Sequence, residues 1–362
     1  MKIAILGTRG IPNNYGGFEQ FAEIFAIYLA EKKHEVYVYN SHKHIFQEKN
    51  FMGVNIIHQY DPEYKLGTAG QFIYDLNCIL DSRKRNFDVI LQLGYTSNSI
   101  WSFLLPKKPI IITNMDGLEW KRTKYSKSIQ KFLKFAENKA VKSSDYLVAD
   151  SLGIKKYLEE KYRREAVYIA YGADLFSDPQ EKVLSQYNVE KNNYNLLIAR
   201  FEPENNIEVI LDGIADSQDN KVMLVVGNND NSYGDYLKKK FYNCGNIRFI
   251  GGVYNKGHLD NLRYFSNLYF HGHSVGGTNP SLLEAMAAKA LIVAHNNEFN
   301  RAILQENAFY FSNTEDIKRL LKTIKRKDYE KMVQDNFNTI VQEFNWNKIN
   351  ESYLRLFEKS LQ

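Results

Sequence analysis

Two cysteines, Cys78 and Cys244, are all that 362 residues provide, and they stand far apart. So few thiols argue against a disulfide framework and for a reducing compartment. No apolar run approaches the roughly 20 residues that cross a bilayer, and the first residues are too short an apolar stretch for a signal-peptide core. A cytoplasmic location is expected. The glycine-rich loop after the first apolar run lacks the G-x-G-x-x-G spacing, and the second expected strand ends in "YVYNSH" without the acid that grips a ribose hydroxyl. Both absences weaken a nicotinamide oxidoreductase, and the lysine-serine pair of a phosphate loop is missing too. No D-x-D element stands in a metal-binding context, and His271 and His273 have no third ligand motif nearby. No metal and no cofactor are therefore expected. Repeats, low-complexity segments and nucleic-acid recognition motifs are absent, and nucleic acid is not an expected partner.

What is present is an ordinary globular composition, 44% hydrophobic and 25% charged, in a chain long enough for two domains. The net charge of +5 is uneven: residues 1–170 hold 25 Lys and Arg against 18 Asp and Glu, and the remainder 22 against 24. The excess concentrates in 119–142, "EWKRTKYSKSIQKFLKFAENKAVK", where Trp120, Tyr125, Phe132, Leu133 and Phe135 interleave with lysines. Such a segment fits a basic amphipathic helix on an anionic membrane. It fits equally a solvated helix face whose aromatics pack inward.

Strand-like runs alternate with helical patterns from Lys2 onward, the rhythm of parallel βαβ units. The composition loosens after "VYIAYGAD", and a second alternating series runs from "NLLIAR" to "LIVAH". The fold class expected is α/β, with two doubly wound domains at 1–172 and 173–344. A last amphipathic helix, 345–362, is expected to return to the first domain.

Two stretches stand where chemistry is expected, in loops at the carboxyl ends of strands. In "GTRGIPNNYGGFE" (7–19), glycines between a strand and a helix let backbone N–H groups approach an anion. In "LYFHGHSVGGTNPSLLEAMAAKALIVAHNN" (268–297), a strand runs into Gly-Gly, Pro280 opens a helix and Glu284 follows one turn in. Exposed amides at a helix start suit a diphosphate. Glu284 is placed to accept hydrogen bonds from a ribose diol, or to serve as a capping carboxylate.

"GTRGIPNNYGGFEQFAE", "NMDGLEWKR", "IARFEPENN" and "HGHSVGGTNPSLLEAMA" together resemble the retaining glycosyltransferases of the large family 4, which have the GT-B fold of two facing Rossmann-like domains. Within that family they are similar to the bacterial branch that transfers rhamnose or a related sugar to lipid-linked precursors of surface polysaccharide. The resemblance implies a first domain that takes the acceptor and a second that takes the nucleotide sugar. Glu284 matches the ribose-binding glutamate. Gly277, Thr278, Asn279, Pro280 and Ser281 match the loop that meets the donor sugar and diphosphate. Arg200 matches the arginine that neutralises the leaving group, Val253 and Tyr254 the segment that receives the base, and Gly16 and Gly17 the glycines that close over the diphosphate from the first domain.

Three departures stand out. Gly276 replaces a glutamate, Asn205 replaces a lysine, and Asp116 takes the place of the histidine common in the first-domain catalytic loop. Asp116 is expected at the interdomain cleft, orienting an acceptor hydroxyl or stabilising an oxocarbenium-like centre, or else it is a turn aspartate before Gly117. Arg9, Glu119 and Lys121 are expected to gather beside it on the acceptor side. Tyr95 lines that side or belongs to the core, and His273 is a donor-pocket residue or a structural one. The implied reaction is retaining, metal-independent transfer from dTDP-rhamnose or a UDP-sugar to a lipid-linked saccharide, at an anionic membrane contacted through 119–142. A non-catalytic nucleotide-sugar binder is the first alternative, and a nicotinamide oxidoreductase the second.

Overall fold

The computed structural model describes residues 1–362 apart from Tyr15, Thr123, Lys124, Gln218 and Gly276. Its contacts divide the chain into two units. The first comprises Met1–Lys121, Tyr125–Tyr171 and Trp346–Gln362, and the second holds Gly172–Asn345.

In the first unit an eight-stranded sheet forms from β1 (Lys2–Leu6), β2 (Glu35–Ser41), β3 (Asn50–Phe51), β4 (Val54–Gln59), β5 (Val89–Leu93), β6 (Ile110–Asn114), β7 (Tyr146–Ala149) and β8 (Ala166–Tyr168). Its order is β3-β4-β2-β1-β5-β6-β7-β8, and every pair is parallel except β3 with β4. Ile3, Ala4, Ile5 and Leu6 are all buried, as continuous apolar strands covered on both faces should be. The short antiparallel β3 has no sequence signal, because two residues carry no readable period.

The helix Gly17–Glu31 buries Phe21, Ala22, Phe25, Ala26 and Leu29, an apolar stripe at helical spacing. The last helix, Trp346–Ser360, packs against it inside this unit: the Tyr353 ring lies 4.8 Å from Phe21 and 5.2 Å from Phe25, and Phe357 lies 5.6 Å from Phe25.

The second unit carries β9 (Tyr194–Ile198), β10 (Val222–Val226), β11 (Ile247–Gly251), β12 (Leu268–His271), β13 (Ile292–His295) and β14 (Phe309–Phe311). They form an all-parallel sheet in the order β11-β10-β9-β12-β13-β14. Leu197, Val225, Phe270 and Val293 meet Ile210, Ile214 and Ile317 in one core. The unit closes on itself where Ala173 N–H donates to the Phe344 carbonyl at 2.8 Å.

Candidate functional site

Strand order reverses beside the first strand of each sheet: β1 lies between β2 and β5, and β9 between β10 and β12. Open parallel sheets bind ligands outside the carboxyl ends of their strands at such points. The loops there are 7–16 and 94–98 in the first unit, and 199–206 and 272–279 in the second. Both glycine-rich stretches singled out from the sequence fall in them.

In the second unit the two loops are laced together. Asn206 Nδ2 donates to the Gly272 carbonyl at 2.7 Å, and Ser274 donates to the Glu204 carbonyl through its Oγ (2.7 Å) and its N–H (3.1 Å). Gly272 is required by this approach, since a Cβ there would fall 1.9 Å from the Asn205 carbonyl oxygen. Asn205 is buried and donates through Nδ2 to the Arg200 carbonyl at 2.7 Å. The residue standing where a lysine was expected therefore closes the turn that carries Arg200. β9 stops at Ile198, and Arg200 stands two residues into the loop. The ladder ends there because the chain turns to meet Gly272. Arg200 is exposed, and its guanidinium makes no ion pair among the described residues.

Across the switch point, Asn279 caps the helix Pro280–Ala287 by accepting from Ser281 N–H at 2.9 Å, with Pro280 at the first helical position. Thr278 is buried and Gly277 half-buried; Gly276 lies outside the described residues. Glu284 points into a line of charges unforeseen in the sequence. Arg263 Nη2 donates to Glu284 Oε2 at 2.5 Å, Arg263 Nη1 to Asp260 Oδ1 at 3.0 Å, and Lys256 Nζ to Asp260 Oδ2 at 2.8 Å. Arg263 is fully buried; burial opposes its charge, but Glu284 and Asp260 help hold it protonated, and its pKa is raised overall. Tyr269 and Ser281 share a 2.9 Å hydrogen bond beside it. Glu284 is thus oriented through one oxygen, while Oε1 makes no hydrogen bond among the described residues. A capping role is not needed, because Asn279 fills it. Opposite charges at Asp260 and Arg263, one helical turn apart beside the buried Leu262, were the available signal.

His271 and His273 stack with ring centroids 4.5 Å apart. Burial, followed by the charge of Arg200, pushes His273 down to about 3, and burial lowers His271 as well. Both are neutral near pH 7. The His273 carbonyl accepts from Asn297 at 2.9 Å and Asn300 at 3.1 Å, tying this loop to the one after β13. Beyond β11, Val253 is half-buried and Tyr254 stands 87% exposed. Among the described residues no three His, Cys, Asp or Glu side chains gather as a metal would need.

In the first unit the loop after β1 turns at Gly7, which has φ +89° and where a Cβ would fall 2.3 Å from the Leu93 carbonyl oxygen. Gly16 precedes the helix that begins at Gly17 in an extended conformation. Buried Glu19 stands in that helix's first turn and accepts from Arg9 N–H at 2.9 Å. The side chain of Arg9 forms a bidentate pair with Glu63, Nε to Oε2 at 2.8 Å and Nη2 to Oε1 at 2.7 Å. A carboxylate therefore balances the positive charge expected of Arg9. Close by, burial raises Asp75 to about 7; its Oδ2 accepts from Ser97 Oγ.

Asp116 follows β6 in a left-handed conformation, φ +50°, which aspartate tolerates better than most residues. Its N–H donates to Asn114 Oδ1 at 2.9 Å, and Asn114 Nδ2 donates to Tyr353 OH at 2.9 Å, so the last helix supports this turn. Glu119 and Lys121 follow in a short 3-10 turn. That turn is pinned by Trp120 Nε1, which donates to Glu137 Oε2 at 3.0 Å; buried Glu137 also accepts from Tyr157, Lys161 and Tyr162. Tyr95 is buried, its hydroxyl has no hydrogen-bond partner among the described residues, and burial together with Glu137, Glu119 and Asp116 raises its pKa. Asp116, Glu119 and Tyr95 are thereby brought together, whereas Arg9 is committed to Glu63.

Two open parallel α/β units, each with ligand-type loops at its switch point, define the GT-B glycosyltransferase fold. Residues 180–346 match the family described as glycosyl transferases group 1, and residues 1–174 match a domain of unknown function, DUF1972. An uncharacterized glycosyltransferase of Methanocaldococcus jannaschii is 23% identical over 399 residues, covering 99% of this chain and 98% of its own. Sucrose-phosphate synthase from Thermosynechococcus elongatus is similar in structure with a TM-score of 0.80, at 16% identity over 99% of this chain and 98% of that one. Anabaena HepE in complex with UDP and glucose gives 0.76, at 16% identity over 99% of each chain.

Proposed function

We propose that the protein transfers a sugar, rhamnose in preference, from a nucleoside diphosphate sugar to a lipid-linked saccharide in bacterial surface polysaccharide synthesis, with retention and without a metal ion. The observation that carries this reading is the pairing, across one switch point, of unpaired Arg200 with a Glu284 whose second oxygen is open. Arg200 and the amino end of the helix Pro280–Ala287 offer charge and dipole to a diphosphate. Glu284 would accept from the ribose diol, and Asp116 would orient the acceptor hydroxyl. The departing diphosphate can take that hydroxyl's proton on the same face, so a strong protein base is not required. The relative HepE binds UDP, which supports a nucleotide donor here. Its base is read as thymine with rhamnose, on the sequence resemblance, with a UDP-sugar as the alternative.

Thermal unfolding with UDP, dTDP and NAD tests the reading. One of the first two at a hundred times its Kd should stabilise by about 2.7 kcal/mol, and NAD should not. Stabilisation by neither UDP nor dTDP would overturn it, and turnover of the matching sugar nucleotide separates an enzyme from a simple binder.

Membrane contact is proposed through the helix Lys127–Ser143. Leu133, Ala136, Ala140 and Val141 face inward, whereas Ile129, Phe132 and Phe135 are exposed beside Lys127, Lys131, Lys134 and Lys139. The expected inward packing of Phe132 and Phe135 is thus incomplete. No helix among the described residues is long and apolar enough to cross a membrane. Sedimentation with vesicles should show binding that needs anionic lipid and weakens with salt; equal binding to neutral vesicles would refute the electrostatic part.

A further inference from the structure

A second basic site lies at the opposite end of the second sheet's strands. A cavity of about 260 Å³ is bordered by Lys191, Tyr264, Lys289, Arg326, Glu330 and Gln334. Lys191 precedes β9, Tyr264 precedes β12 and Lys289 precedes β13, so the cavity sits at the amino ends of the strands whose carboxyl ends carry Arg200 and the 272–279 loop. The helix Pro280–Ala287, about 12 Å long, separates the two ends.

Part of this arrangement is structural. Arg326 Nη2 donates to the Tyr264 carbonyl at 3.4 Å, capping the helix Lys256–Phe265, and to the Lys289 carbonyl at 2.8 Å, holding the turn after the helix Pro280–Ala287. Arg326 Nη1 is buried in the wall and has no hydrogen-bond partner among the described residues. None of Arg326, Lys191 and Lys289 makes an ion pair among the described residues. The two ammonium groups rest instead over rings, Lys191 5.6 Å from the Phe265 centroid and Lys289 4.4 Å from that of Phe337. Against three cations the wall sets one carboxylate, Glu330. The two helix ends subtract roughly half a charge each, which leaves a net of about one positive charge. Cations gathered around a recess with one opposing carboxylate create a positive potential there that favours an anion.

We propose that this cavity binds a soluble phosphate monoester or inorganic phosphate, with the Lys191 and Lys289 ammonium groups donating to phosphate oxygens and the Arg326 guanidinium supplying charge from the wall. The site is separate from the nucleotide-sugar reading and does not depend on it. Calorimetric titration of the full chain with inorganic phosphate and with glycerol 3-phosphate tests it. Saturable binding of one equivalent is expected, unchanged in Arg200→Ala and weakened about tenfold or more in the double variant Lys191→Gln, Lys289→Gln. That double variant leaves the Arg326 caps intact, so its thermal midpoint without ligand should match the parent. No saturation by about 10 mM would overturn the proposal. So would binding lost in Arg200→Ala and kept in the double variant, or binding confined to phosphatidic acid vesicles.

Discussion

Arg200→Ala is expected to lower sugar transfer by about 10²–10³-fold, the range seen when one preorganised donor to a developing negative charge is removed. Its thermal midpoint should stay within a degree or two of the parent, because the side chain is exposed and its turn is held by Asn205 through the Arg200 carbonyl rather than the guanidinium. The measurement is steady-state turnover with the stabilising sugar nucleotide, alongside thermal unfolding. Full activity in a folded variant would remove the leaving-group role of Arg200. The expected loss is large because no lysine stands at position 205 to share the charge.

The second large effect is on stability. Arg263→Met keeps the volume but strips the charge from between Asp260 and Glu284. Breaking a buried ion pair from one side costs about 3–5 kcal/mol, since the remaining charges stay desolvated. Here the Asp260 carboxylate, 7% exposed, keeps Lys256 as a partner, while Glu284, at 21%, is left without an ion pair among the described residues and recovers some hydration, so the lower end of that range is expected. In a unit of this size that corresponds to a fall of about 10 °C in midpoint. Donor affinity should fall as well, because Glu284 loses the contact that aims it. Adding Asp260→Asn and Glu284→Gln to Arg263→Met should restore much of the stability, since no buried charge then lacks a partner, but not the affinity. A single variant as stable as the parent would show that the chain of charges does not matter to the fold.

The elements and the loops that matter were legible because they are local. Alternation of apolar strands with 3.6-period helices announces two parallel α/β units, and glycine, proline and asparagine mark where strands hand over to helices. The sequence also places Glu284 one turn into the helix opened by Pro280, since i to i+4 spacing is set by helix geometry alone. What a side chain does with a distant partner is not written in its neighbours. Arg9 looks like a free cation until Glu63 is found beside it, and Asn205 looks like a lost charge until its amide is seen closing the Arg200 turn. The basic helix is amphipathic in sequence, but which aromatics turn outward depends on what packs beneath it.

By itself, then, the sequence determined the two α/β series, the glycine loops and the residues eligible for chemistry, because backbone propensity and periodicity act within a few residues. Only the tertiary structure decided which distant groups meet. Strand order put Arg200 across from Glu284. Packing brought Arg263 to Glu284, 21 residues on, and Tyr353 to Asn114, 239 residues away, and it left Lys191, Lys289 and Arg326 around one recess. The physical reason is that charge pairing and burial act through space, and no local spacing records which strands become neighbours.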